Sequence, residues 1–128
     1  MILDAGVLIS VERDEEAAQL FVAATLRNAT PLRVSAPVIA QVWRGAADQH
    51  RLGKFINTLE IHPFASEQWN EVGRLVGSAG TSDVVDAHMV ALAIRFDDSI
   101  LTGDPDDLGK LVESLNVGPT KPVIYTWP

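Results

Sequence analysis

Residues 1–11 read MILDAGVLISV, and this opening decides which fold the chain can adopt. Its first three residues form a short apolar run that is typical of a buried strand, and the segment from Ala5 to Val11 then has helical character. A strand that is buried on both faces belongs to a parallel sheet, in which consecutive strands are connected through helices. The opening therefore predicts an α/β domain in which Asp4 lies between the first strand and the first helix.

The rest of the chain continues this alternation of short apolar strands and helices. Further strands are predicted at Leu32–Ser35, Glu60–His62, Ser99–Thr102 and Val123–Tyr125. Further helices are predicted at Glu15–Arg27, Val38–Arg44, Leu52–Leu59, Glu67–Val76, Val84–Phe96 and Asp104–Leu115, and residues 116–122 are predicted to form a loop. The pattern predicts an α/β fold with a mostly parallel central sheet of four to five short strands covered by helices, in a single domain over residues 1–128.

The composition excludes several classes of protein. Of the 128 residues, 47% are hydrophobic, which is enough for a folded core. The net charge of −7, from 10 basic and 17 acidic residues, argues against a broad basic face for nucleic acid. The lack of cysteine excludes disulfides, thiolate zinc sites and cysteine nucleophiles. Because Asp4 stands where a signal peptide would be basic, and no apolar stretch approaches the roughly 20 residues of a membrane span, we expect a cytoplasmic protein without membrane association.

Aspartates recur at the ends of predicted strands and the starts of predicted helices. Asp4 follows the first strand, Asp83 and Asp86 open a long helix, and Asp104 follows the fourth strand with Asp107 close behind. In a parallel sheet these positions gather at one edge, where ligands bind. Several carboxylates at one edge repel each other, and a hard divalent cation offsets that repulsion with oxygen ligands. The pattern therefore favours a Mg²⁺ or Mn²⁺ site.

Helix capping is the alternative explanation for these acids. Asp is a favoured N-cap residue, and Asp4, Asp83 and Asp104 each precede a helix. Capping does not explain why three separate segments place acids at the same edge. It explains Asp86 least well, because this residue lies inside a helical turn among apolar neighbours, where a partly buried acid is costly unless it is paired or bound to a metal.

Four blocks of sequence, in this order and spacing, resemble a known family. They are residues 2–9 (ILDAGVLI), 35–45 (SAPVIAQVWRG), 82–88 (SDVVDAH) and 101–108 (LTGDPDDL). Together they resemble the PIN-domain ribonucleases, and within them the VapC-type toxins of bacterial toxin–antitoxin systems. The resemblance implies a PIN-like three-layer fold and a Mg²⁺- or Mn²⁺-dependent endoribonuclease. Its partners would be an RNA substrate, a VapB-type antitoxin that covers the acidic cleft, and a second copy of the chain in a homodimer.

The resemblance also implies which residues form the site. Asp4, Asp86 and Asp104 match the first, third and fourth acids of the family's metal site. Asp83 and Asp107 lie one helical turn from these positions and are secondary candidates.

The second acid of the family, usually Glu, falls on Gln41 in this chain. Gln keeps an oxygen that can coordinate a cation or hold a water, but it carries no charge and cannot act as a base. Two interpretations follow: an active nuclease that works with its aspartates, or a catalytically weakened protein whose main activity is to bind its antitoxin.

Other polar residues receive less specific predictions. Arg44, on the same helical face as Gln41, would contact a substrate phosphate or form a surface salt bridge. No catalytic role is assigned to the histidines, and His88 is expected to be a surface or packing residue. Asp97 and Asp98 are expected to form a solvated turn. The apolar helices at Ala17–Leu26 and Val38–Trp43 are candidates for antitoxin contacts.

Overall fold

The computed structural model describes residues 1–81, 83–115 and 121–128. The strands are β1 (Ile2–Leu3), β2 (Arg33–Ser35), β3 (Glu60–His62), β4 (Ile100–Thr102) and β5 (Ile124–Thr126). The helices are α1 (Ala5–Glu12), α2 (Glu16–Arg27), α3 (Ala36–Val42), α4 (His50–Ile56), α5 (Trp69–Ala79), α6 (Val84–Phe96) and α7 (Pro105–Glu113). Short 3₁₀ turns at Ala47–Gln49 and Ser66–Gln68 precede α4 and α5.

The five strands form one sheet in the order β3-β2-β1-β4-β5, and every pair is parallel. This arrangement confirms the predicted α/β fold with a parallel central sheet covered by helices. The chain first builds the sheet from β1 outwards through β2 to β3, and then crosses over to place β4 on the other side of β1. The strand order therefore reverses between β1 and β4, and their carboxyl ends mark the crevice where ligands bind in open α/β sheets.

The core lies between the sheet and the helices that cover it. Ile2, Leu3 and Ile100 on the two central strands have no exposed surface. On the helices, α6 is buried without interruption from Ala87 to Ala93, and α1 contributes the buried Val7 and Leu8. Such continuous burial explains why the central strands read as uninterrupted apolar runs instead of alternating patterns.

Several element boundaries differ from the predictions because side chains or backbone turns end the helices. The helix predicted to continue to Arg44 ends at Val42, where the side chains of Arg44 and Gln49 bond its last carbonyl groups. The predicted Leu52–Leu59 helix begins earlier and ends at Ile56. α5 continues past Gly77 to Ala79 and ends at Gly80, whose φ of 67° is favourable for glycine. The predicted loop lies largely outside the described residues, at 116–120.

The expectation of a solvated turn at Asp97 and Asp98 is wrong for the second residue. Asp97 is exposed and adopts the left-handed conformation at the end of α6, with φ of 48°. Asp98 is largely buried instead, and its carboxylate lies 2.8 Å from Nη1 of Arg33 and accepts a hydrogen bond from the N–H of Ser99. Although burial raises the pKa of Asp98, the hydrogen bonds from the Met1 amino group, Ser99 and Arg33 lower it below its ordinary value. The reason is tertiary, since β2 brings Arg33 to the amino end of β4.

None of the helices in the described ranges combines the length and the hydropathy needed to span a membrane.

Candidate acidic site

The carboxyl ends of β1 and β4 bring two acid-bearing turns together. β1 leads directly into Asp4 and α1, and β4 leads through Gly103 into Asp104 and α7. The two turns approach closely: a Cβ atom built on Gly6 would lie 3.8 Å from the backbone nitrogen of Gly103. Because α1 and α7 both begin here, the positive ends of two helix dipoles face this edge of the sheet, which favours negative charge.

Asp4 is held in place by both of its carboxylate oxygens. Oδ1 accepts a hydrogen bond of 2.6 Å from the N–H of Ala5, and Oδ2 accepts one of 2.5 Å from the Thr102 hydroxyl. The same Thr102 oxygen accepts a 2.9 Å bond from the backbone N–H of Asp104. Thr102 is fully buried and joins the β1 turn to the β4 turn. The sequence pattern predicts no such role for Thr102, although a polar residue that ends an apolar strand shortly before an acid is a usable signal.

Asp86 lies in the first turn of α6, next to other acids. Its backbone N–H donates a 3.0 Å hydrogen bond to Oδ1 of Asp83. Partial burial, together with the negative charges of Asp83, Asp4 and Asp107, raises the pKa of Asp86 from 3.8 to about 7. The acid that capping explained least well is therefore the one whose pKa is raised, first by burial and then by the neighbouring acids.

The structure does not place all the predicted site residues alike. The charges of Asp4, Asp83 and Asp107 contribute to the raised pKa of Asp86. The Asp104 side chain is exposed and makes no capping hydrogen bond with α7. Gln41 is exposed on α3, which packs against α1, and its side-chain amide has no hydrogen-bond partner among the described residues.

Capping accounts for part of the acidic pattern. Asp4 caps α1 through the Ala5 N–H, and Asp83 caps α6 through the Asp86 N–H. Asp104 occupies the N-cap position of α7 without a side-chain cap, and Asp86 lies inside α6. Capping and clustering therefore coexist: two of the acids satisfy helix ends while adding negative charge beside Asp86.

Within the described ranges, Arg44 does not form the surface salt bridge that was one of its two expected roles. Its guanidinium group donates to the carbonyl oxygens of Ala40, Gln41 and Trp43, at 2.8–3.1 Å, and it forms no salt bridge among the described residues. The carbonyl groups at a helix C-terminus carry partial negative charge and lack partners within the helix, so a cation stabilises them. In this arrangement Arg44 closes the end of the helix that bears Gln41.

His88 is a packing residue, so the surface alternative is wrong. Its side chain has no exposed surface, and the ring lies 5.1 Å from that of Phe64. Burial lowers the pKa of His88 below its ordinary value, which keeps the ring neutral.

The family of the chain follows from comparison with known proteins. The sequence profile of the PIN domain matches residues 1–112. The chain belongs to the PIN domain family. Its fold is similar to a solved structure, VapBC2 from Rickettsia felis bound to a DNA fragment from their promoter, with a TM-score of 0.73 and 14% sequence identity over 99% of this chain and 98% of the other. No curated protein matches the chain significantly.

The acids of this PIN domain suit a divalent cation by their chemistry. The acids that raise the pKa of Asp86 offer carboxylate oxygens, the ligands that Mg²⁺ and Mn²⁺ prefer. In the described ranges, no three acidic or histidine side chains stand where together they could hold an ion. Asp4 and Asp83 each turn a carboxylate oxygen towards a backbone N–H group, that of Ala5 and that of Asp86 respectively. The chemistry of the donors therefore suits such an ion, while their described arrangement does not form a complete set of ligands.

The raised pKa of Asp86 predicts how stability depends on pH without divalent ions. Between about pH 4 and pH 7 the folded protein keeps a proton that the unfolded chain releases, so stability falls as the pH rises through this range. Asp86→Asn removes the ionisable group. Relative to the wild type, we expect it to raise the free energy of unfolding at pH 8 by about 1–2 kcal/mol more than at pH 4, after allowance for solvent screening.

Urea denaturation with a chelator, at both pH values, measures this difference. Asp97→Asn is the control, because it removes the same charge at the far end of α6 and Asn tolerates the left-handed conformation there. An Asp86→Asn effect that is the same at pH 4 and pH 8 contradicts the crowding of the acids.

Proposed function

We propose that this PIN domain is a metal-dependent endoribonuclease and the toxin of a type II toxin–antitoxin pair. The observation that carries the proposal is the meeting of acid-bearing turns at the crevice where the strand order reverses, where the Thr102 hydroxyl bonds both the Asp4 carboxylate and the backbone of Asp104. The raised pKa of Asp86, to which Asp4 contributes, agrees with it. Membership of the PIN family and the similarity of the fold to a VapBC structure support it.

Asp4, Asp86 and Asp104 are the proposed ligands of Mg²⁺ or Mn²⁺, with Asp83 and Asp107 as secondary candidates. Once bound, such an ion would supply charge neutralisation at the phosphate and an activated water for phosphodiester hydrolysis. Thr102 orients Asp4 and also bonds the backbone of Asp104, so one hydroxyl group couples two of these acids. Without an ion, Asp86 keeps its proton up to about pH 7, and it must release that proton in order to act as a ligand.

Two further features of the chain are suited to a polyanionic substrate. The N-terminal ends of α1 and α7 direct partial positive charge towards the crevice, which partly offsets the repulsion between the acids and an RNA phosphate. Gln41 contributes an amide that can orient a water or a ligand, but it cannot take a proton from either. Proton transfer is therefore left to the aspartates.

Cleavage of RNA by the protein free of antitoxin tests the proposal. We expect structured RNA to be cut only when Mg²⁺ or Mn²⁺ is present, and Asp4→Asn to lower the rate on the order of 100-fold, because the loss of one charged ligand removes several kcal/mol of transition-state stabilisation. The matched control is Asp97→Asn, which makes the same change of charge outside the site. Cleavage that is independent of metal, or equal loss in both variants, contradicts the assignment.

Replacement of the unusual Gln41 tests its position in the site. Gln41→Glu restores one negative charge beside the proposed ion, so we expect Mn²⁺ to bind at least about tenfold more tightly. Isothermal titration calorimetry measures the affinity. Asn57→Asp adds the same charge at the end of α4, before β3 begins, and should leave the affinity unchanged. If Gln41→Glu binds Mn²⁺ with unchanged or weaker affinity, Gln41 does not belong to the site.

A second candidate function is a catalytically weakened protein that mainly binds its antitoxin. Gln41, which carries no charge, favours this function. So does Asp104, whose exposed side chain makes no capping hydrogen bond with α7. It differs from the nuclease in one result: no cleavage of RNA with Mg²⁺ or Mn²⁺, combined with tight binding of the antitoxin.

The surface of the domain offers a place for an antitoxin away from the acids. A mainly apolar groove of about 720 Å³ runs between α2 and α4. Its walls include Ala18, Val22 and Leu26 on α2 and Phe55 on α4, and Leu26 leaves 74% of its surface exposed. A groove of this shape suits the apolar face of an amphipathic helix. We therefore propose that a helix of a VapB-type antitoxin docks here and that the rest of its C-terminal segment covers the acidic crevice. The expected homodimer and cytoplasmic location stay predictions.

A charge placed in the groove tests this docking site. We expect Ala23→Glu to weaken binding of the cognate antitoxin by at least about tenfold, because the charge would have to be desolvated in the interface, while RNA cleavage stays unchanged. Leu20→Glu is the control, since Leu20 is exposed on the same helix but does not line the groove. If the two substitutions weaken antitoxin binding equally, the groove is excluded as the docking site of the antitoxin.

A further inference from the structure

α6 carries Asp86, and the buried part of this helix has no polar face that would fix its rotation. Every residue from Ala87 to Ala93 is buried, on all sides of the helix. An ordinary surface helix is oriented by the contrast between its apolar and polar faces, and this run has no such contrast. Three of its seven side chains are alanines, which offer little shape to lock against neighbours. The single polar side chain of the run is His88.

Both nitrogens of the His88 ring have hydrogen-bond partners. Nδ1 lies 2.8 Å from the hydroxyl oxygen of Ser35, and Nε2 lies 3.2 Å from Oε1 of Gln68. Oε1 is only an acceptor, so Nε2 carries the hydrogen and Nδ1 accepts the hydrogen of the Ser35 hydroxyl. All three side chains are buried, with exposed fractions of 0% for His88 and Ser35 and 7% for Gln68. Buried bonds of this kind are directional, unlike the apolar contacts around them.

The two partners of His88 belong to different elements around the acidic site. Ser35 is the last residue of β2 and directly precedes α3, the helix that carries Gln41. Gln68 ends the 3₁₀ turn before α5, and its Oε1 also accepts a 2.8 Å bond from the N–H of Ala65, which fixes the amide. The ring therefore ties α6 to β2 and α3 on one side and to the start of α5 on the other.

We propose that His88 is a positioning residue for the acidic site, whose two hydrogen bonds set the rotation of α6 and thereby the placement of Asp86 against Asp4. Side-chain ends lie roughly 5–6 Å from a helix axis, so a rotation of 20° displaces them by about 2 Å. Metal ligands tolerate displacements of only about 0.2 Å. A small rotation that leaves the fold intact is thus enough to disable a cation site, and this consequence rests on the proposed function.

Three substitutions separate the two bonds. His88→Asn keeps a polar group near the position of Nδ1, His88→Gln keeps one near Nε2, and His88→Leu removes both.

In crystal structures of the metal-free variants, we expect the Asp86 carboxylate of His88→Leu to shift by 1 Å or more relative to Asp4, with smaller shifts in the other two. By calorimetry we expect Mn²⁺ to bind at least about tenfold more weakly to His88→Leu and to intermediate degrees to His88→Asn and His88→Gln. In RNA cleavage the loss should fall on kcat more than on KM.

Leu59→Ala is the matched control for lost stability. Leu59 is buried just before β3, at the end of the sheet opposite the acids, and its truncation destabilises the core at a position outside α6. All variants are compared at a temperature where denaturation curves show each of them folded. We expect Leu59→Ala to bind Mn²⁺ as the wild type does.

The outcomes distinguish this proposal from the function on which it rests. An unshifted Asp86 in the folded His88 variants, with Mn²⁺ affinity within twofold of the wild type, overturns the positioning role. If His88→Leu does not fold, the Asn and Gln variants decide by the same two measurements. A wild type that neither binds Mn²⁺ nor cleaves RNA contradicts the nuclease, while the crystal structures still decide the role of His88.

Discussion

The partial burial of Asp86 beside other carboxylates is the constraint around which the crevice of this PIN domain is organised. The fold brings acids there because parallel strands that share an edge deliver their following residues to the same crevice. Burial first, and then the charges of Asp83, Asp4 and Asp107, raise the pKa of Asp86. The surrounding structure limits the cost with the N–H groups of helix starts, which bond Asp4 and Asp83, and with the Thr102 hydroxyl. These bonds engage carboxylate oxygens that a bound cation would also use.

The Thr102 hydroxyl joins the beginning of the chain to its second half at this crevice. Thr102 contributes one oxygen that donates to the first acid of the chain and accepts from the backbone of Asp104, two positions 100 residues apart. A hydroxyl can serve both because it combines a donor with acceptor lone pairs. His88 forms a comparable two-sided junction between α6, the end of β2 and the 3₁₀ turn before α5. The site is thus supported by buried polar groups set into an otherwise apolar core.

The sequence predicted the sheet and its helices well, because strand burial and helical periodicity are local properties that tertiary packing reinforced. It also placed the acids at one edge, since the edge follows from parallel topology alone. It did not predict the roles of Thr102, Asp98 or Arg44. Each of these depends on a partner that sequence spacing does not reveal: Asp4 for Thr102, Arg33 for Asp98, and for Arg44 a helix that ends two residues earlier than its apolar pattern suggested.

The outer strands of the sheet have a consequence for self-association. β3 and β5 are its two edges, and each is only three residues long. Pro63 directly follows β3, while Pro122 and Pro128 bracket β5. Proline has no amide hydrogen to offer a neighbouring strand, so neither edge can readily template the addition of another chain. Copies of this domain that meet in solution are therefore steered towards contact through their helical layers, and away from the sheet-to-sheet growth that leads to aggregates.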